Sequence, residues 1–86
     1  MSAGDRPPET RQGDIVVRDR GVYFHVWRVT RDGAIDPDRD VQPFATDRRH
    51  EALDKALDMA RGTDGRVFVI DRAGSWTLIR RPGALE

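Results

Sequence analysis

The chain is predicted to be an α+β domain. A mostly antiparallel sheet of four or five strands carries one amphipathic helix on one face, in the order β-β-(β)-α-β-β. Three observations predict this. Residues 44–62, FATDRRHEALDKALDMARG, have the pattern of a capped amphipathic helix. Runs rich in β-branched and aromatic residues flank it on both sides: DIVVR and VYFHVWRVT before it, RVFVID and SWTLIR after it. Short glycine-bearing turns, rather than further helices, join the strand-like runs.

The elements follow in order. Residues 1–13 are polar and contain Pro7 and Pro8, which predicts a disordered tail. Residues 14–81 form the single domain, and 82–86 a C-terminal tail. Residues 14–18 read as a short strand, closed by a turn at Asp19-Arg20-Gly21. Residues 22–30 are the clearest strand. Tyr23, His25, Trp27 and Val29 alternate with Val22, Phe24, Val26 and Arg28, so both faces are largely apolar. Such a strand is expected at the centre of the sheet, or with something packed on each side.

Arg31-Asp32-Gly33 has the composition of a hairpin turn. Ala34 and Ile35 are placed to begin a return strand, which the Asp-rich residues 36–40 interrupt and residues 41–45 resume, with Pro43 marking an edge. Thr46 is the expected N-cap of the helix, a contribution of about 1 kcal/mol. Leu53, Ala56, Leu57 and Ala60 form the apolar stripe, widened by Ala52 and Met59. Asp54, Lys55 and Asp58 face water, and Glu51 with Lys55 makes a favourable i,i+4 pair. Gly62 supplies the left-handed stop. Two further strands, 66–71 and 75–80, close the domain around Arg72-Ala73-Gly74.

Bulk properties narrow the function classes. At 86 residues the chain makes one small domain. Formal net charge is zero, and neither half is a basic arm: residues 1–45 carry seven Arg and eight acids, residues 46–86 eight basic residues and seven acids. A domain that holds nucleic acid through its overall field has a positive excess, so a basic patch here has to come from sorting Arg onto one face. Lys55 is the only lysine, a bias that matches a GC-rich genome. With no cysteine, disulfides, thiolate catalysis and Cys-based zinc sites are excluded. No stretch has the length of a membrane span, and the first residues have no signal-peptide apolar segment, so a cytoplasmic protein is expected.

Three segments resemble a family of small uncharacterised bacterial domains of strand-strand-helix-strand-strand order. They are Trp27-Arg28-Val29 with Arg31-Asp32-Gly33-Ala34, then Thr46 with Ala52, Ala56 and Ala60, then residues 67–74. The likeness spans roughly residues 15–80. The chain departs from the family in placing Asp71 where members often carry His, and in its longer loop at 36–40. The resemblance implies a fold and a bacterial or phage setting, and no catalytic residues. YFHVWRVTRDGA with FATDRRHEAL is also similar to the arm-binding N-terminal domain of tyrosine recombinases, a sheet that enters the DNA major groove. That likeness ends near Ala60.

Candidate chemistry is sparse. Asp36, Asp38 and Asp40 have the spacing that opens a calcium loop, with Asp47 at the twelfth position, but Val41 stands where the sharp turn requires Gly. A solvated loop is the expected reading. His25 and His50, without cysteine, make a poor zinc site. The serines, Ser2 and Ser75, sit in no nucleophile elbow, and no phosphate-cradling glycine loop is present. No catalysis, metal or cofactor is expected. Two binding readings stand. One is a non-catalytic interaction module, a homodimer through the uncovered sheet face or a docking site for a protein partner. The other is a nucleic-acid module using Arg28, Arg31 and Arg80 beside Tyr23 and Phe24, by stacking and phosphate contact. Against the second, two tryptophans are what a small core needs, and the arginines have twelve Asp to pair with.

Overall fold

The computed structural model describes residues 9–37, 39 and 41–80. Five strands and one helix run in the order β1 (Ile15–Asp19), β2 (Phe24–Arg28), β3 (Phe44–Thr46), α1 (Arg49–Ala60), β4 (Val67–Ile70) and β5 (Trp76–Arg80). The sheet order is β3-β2-β1-β4-β5. Three neighbouring pairs are antiparallel, and β1 with β4 is parallel. The fold is therefore α+β with a mixed, mostly antiparallel sheet and one helix packed against it.

The central strand is β1 rather than β2. Ile15, Val16 and Val17 are all buried, as a strand covered on both faces requires. β2 still has a neighbour on each side, and its alternation divides two cores. Val26, with half-buried Phe24, joins Ile15, Val17, Val67 and Val69 beneath the helix. Trp27 and Val29 join Val16 and Ile70 on the opposite face, with Ala34, Val41 and Trp76 packed against them. The sheet face expected to be uncovered is thus closed at its β1–β2 end. The return strand expected from Ala34 does not form. Instead, the loop after β2 lays Ala34 and Val41 on this second core, because the exposed apolar surface of Trp27 and Val29 is worth more covered than a short edge ladder.

Helix α1 starts later than expected. Thr46 is held in the β2–β3 ladder opposite Phe24, two residues too early to cap. The N-cap position is Arg48, in extended conformation and without a side-chain cap bond. The Thr46 hydroxyl instead accepts the Arg48 N–H at 3.2 Å and donates to the Glu51 carboxylate at 2.8 Å. The stripe is centred on Ala52, Ala56 and Ala60, all fully buried, with Leu53, Leu57 and Met59 partly buried beside it. With only a Cβ between helix and sheet, the backbone lies close to β1, β2 and β4. Gly62 takes φ +75°, as the C-terminal stop requires. The last carbonyls are met by Thr63, whose N–H and hydroxyl both reach the Ala60 oxygen, at 3.0 and 2.7 Å.

Residues 9–13, expected to belong to a disordered tail, are part of the fold. Thr10 is 1% exposed and its hydroxyl donates to the Ala34 carbonyl at 2.7 Å. The Gly13 N–H reaches the Val29 carbonyl at 2.8 Å, extending the sheet ladder past β2, and the Gln12 N–H reaches Asp32 Oδ1 at 2.9 Å. Gly65 packs so closely on this segment that a Cβ there would collide with the Gly13 carbonyl oxygen. The expected tail at residues 1–8 and 82–86 lies outside the described residues. A buried ion pair anchors the segment: Asp14, 3% exposed, accepts from Arg66 Nη2 at 2.6 Å and Nε at 3.2 Å, and from the backbone N–H groups of Arg11 and Arg66.

Candidate functional site

The five residues singled out for binding fall in different places. Arg28 and Arg80 come together at the end of α1. Arg28 Nη2 donates to the Met59 carbonyl at 2.8 Å, and Arg80 Nη1 to the Ala60 carbonyl at 2.7 Å and the Gly65 carbonyl at 3.3 Å. Cations suit the negative end of a helix dipole, so both have a structural role. Phe24 is half-buried in the core beneath the helix. Tyr23 sits by the β1–β2 turn, its ring 4.8 Å from that of His25. Arg31 lies in the exposed turn after β2. The structure therefore does not gather Arg28, Arg31, Arg80, Tyr23 and Phe24 onto one surface.

Four other described arginines are matched by acids. Arg18 and Arg20 both pair with Asp36, which the sequence had offered as the first ligand of a cation loop. Asp38 and Asp40 lie outside the described residues. Arg61 pairs with Asp58 at 3.8 Å, and Arg66 with Asp14. Arg66 also stands 4.9 Å above the Phe68 ring. The expected Glu51–Lys55 pair gives way to two other contacts: Glu51 holds Thr46, and the Lys55 ammonium lies over the Phe44 ring, 5.4 Å from its centroid. Among the described residues, no group of three His, Cys, Asp or Glu is placed to hold a metal ion, and no helix is long and apolar enough to cross a membrane.

His25 has a displaced titration. Burial, and then the nearby Arg20 guanidinium, hold its pKa below the usual imidazole value. Its Nδ1 is buried with no hydrogen-bond partner among the described residues. The unfolded chain thus takes up the proton more readily, so His25 contributes stability above about pH 6.5 that is lost as pH falls through the lower folded value. Wild type is expected to lose melting temperature between about pH 7 and pH 5, and His25→Gln to lose less. Thermal melts across that range check this. Equal slopes would mean His25 is not the group responsible.

The two sheet edges differ. β3 has three residues, follows Pro43, and carries Lys55 over Phe44. Short length, proline and a nearby charge are the usual protections of an edge. β5 has five residues and no proline, and its outer side has no strand partner among the described residues. It exposes Leu78 at 38% and Ile79 at 44%. An irregularity in the β4–β5 register at Val67/Phe68 places Ile79 between the paired positions Leu78 and Arg80. Trp76, on the same strand, is half-buried and packs edge-on against Phe68, with ring centroids 5.7 Å apart. The sequence marked the first edge through Pro43 but not the second, since residues 75–80 read as an ordinary strand and only the pairing order made β5 a border. Set against family models, curated proteins and solved structures, the chain matches none.

Proposed function

We propose that this chain is a non-catalytic interaction module that self-associates through β5. The observation that supports it is the open edge: adjacent Leu78 and Ile79, exposed on a border strand that has no strand neighbour on its outer side among the described residues. Two copies related by a two-fold axis would add β5 to β5 antiparallel, joining two five-stranded sheets and setting Leu78 beside its counterpart. Zero net charge puts no long-range repulsion between copies, and Thr77, Leu78 and Ile79 bring no charge into the contact. The interface moves from the sheet face expected from sequence to the sheet edge, because the face is closed over Trp27.

Sedimentation equilibrium tests this. Wild type is expected to gain mass toward a dimer as concentration rises to about 1 mM, the weak end of specific association. Leu78→Lys, on an exposed position, is expected to stay monomeric with little change in melting temperature. A strictly monomeric wild type would sink the reading. The competing nucleic-acid reading has less support, since Arg28, Arg31, Arg80, Tyr23 and Phe24 do not share one surface and Arg18 and Arg20 share Asp36. Amide shifts on random oligonucleotides that fade with salt would favour it instead.

A further inference from the structure

A groove opens at the opposite border of the sheet, where residues 41–45 run past the end of β2 beside α1. Its walls are apolar, formed by Val26, Val41, Phe44 and Met59, and its two charged lining groups are Arg28 and Lys55. Its volume of about 710 Å³ is within the range of about 300–1,000 Å³ common for small-molecule sites.

Both charged side chains of this groove are cations. Arg18, Arg20, Arg61 and Arg66 each have a carboxylate partner. Arg28 and Lys55 have none among the described residues. Arg28 places one N–H on the Met59 carbonyl, and four of its five donors remain. Lys55 is separated from its helical neighbour Glu51, which the Thr46 hydroxyl engages, and rests on Phe44. No acid lines the groove among the described residues. Two cations over an apolar floor, in a chain of zero net charge, form a local positive field with a place for an apolar body.

We propose that this groove binds a small amphipathic anion, with a carboxylate or phosphate head on Lys55 and Arg28 and an aromatic or aliphatic body against Val41, Phe44 and Met59. Arg28 suits a two-pronged contact with either head, and Lys55 acts as a point charge. The site lies across the sheet from β5 and does not depend on self-association.

The test is an amide-shift titration with phenylacetate, phenyl phosphate and the neutral phenylacetamide, run on the full chain. The two anions are expected to shift residues 28, 41–45, 55 and 59 saturably, with phenylacetamide about tenfold weaker or more. Which anion binds tighter identifies the head group. Lys55→Gln, at an exposed helix position, is expected to keep its melting temperature while its anion affinity falls toward that of the amide. Equal binding of amide and anions would overturn the proposal. So would shifts outside the groove, no saturable shift, or an unchanged affinity in Lys55→Gln.

Discussion

Trp27→Ala is expected to cost about 3–5 kcal/mol of folding stability, the range for truncating a buried aromatic. Trp27 is 1% exposed and is the largest fully buried side chain. It faces Val16 across the β1–β2 ladder and holds together the second core of Val29 and Ile70, on which Ala34 and Val41 of the following loop rest. Alanine would leave a cavity that the two-sided sheet cannot collapse, and would remove what keeps that loop down. Trp27→Phe is expected to cost less, because the indole Nε1 is buried with no hydrogen-bond partner among the described residues and its loss carries no penalty. Urea unfolding followed by circular dichroism checks both. A loss below about 1 kcal/mol in the alanine variant would show that the second core contributes little. Small domains have about 5–15 kcal/mol in total, so this one change is expected to bring the domain near its unfolding threshold.

Asp14→Ala is expected to cost a comparable amount, about 3–5 kcal/mol, for a different reason. Asp14 is nearly inaccessible and accepts from Arg66 twice and from two backbone N–H groups. Removing it leaves a half-buried guanidinium facing no charge and two donors without an acceptor. Arg66 Nη2 also holds the Glu9 carbonyl at 2.9 Å, so residues 9–13 are expected to loosen as the pair is lost. The double variant Asp14→Ala with Arg66→Met is expected to be less damaging than the sum of the two single changes, since the stranded charge is gone. Simple additivity in the unfolding free energies would mean the pair is not coupled. Hydrogen exchange at Gly13 and Gly33, whose N–H groups bond to Val29 and Thr10, reports the loosening directly.

Both effects arise from contacts of different sequence range, and that separates what was legible from what was not. The elements themselves were readable because their causes are local. The β-branched run Ile15-Val16-Val17, the two-sided alternation from Phe24 to Val29, and the alanine and leucine spacing of α1 each show in a window of a few residues. Boundaries moved by one to three residues where a neighbour intervened: Thr46 has good capping chemistry, but its place opposite Phe24 keeps it in the sheet. Trp27 was readable as core from composition alone. The Asp14–Arg66 pair spans 52 positions and has no local signal. Arg28 and Arg80 looked like binding residues because an exposed arginine and one that meets a helix carbonyl are the same letter.

The sequence by itself determined the type and order of the elements with the third strand left open, the apolar faces of β2 and α1, the left-handed stop at Gly62 and the absence of cysteine chemistry. These follow from side-chain periodicity and backbone freedom, which each residue carries wherever it is placed. Only the tertiary structure decided that β1 is central and parallel to β4, that residues 9–13 belong to the fold, and that the loop after β2 covers the second face at its β1–β2 end. It also decided that β5 is left as an open edge and that Arg28 and Lys55 border one groove. Those outcomes depend on which surfaces meet, and the free energy of meeting belongs to pairs of distant segments rather than to either one alone.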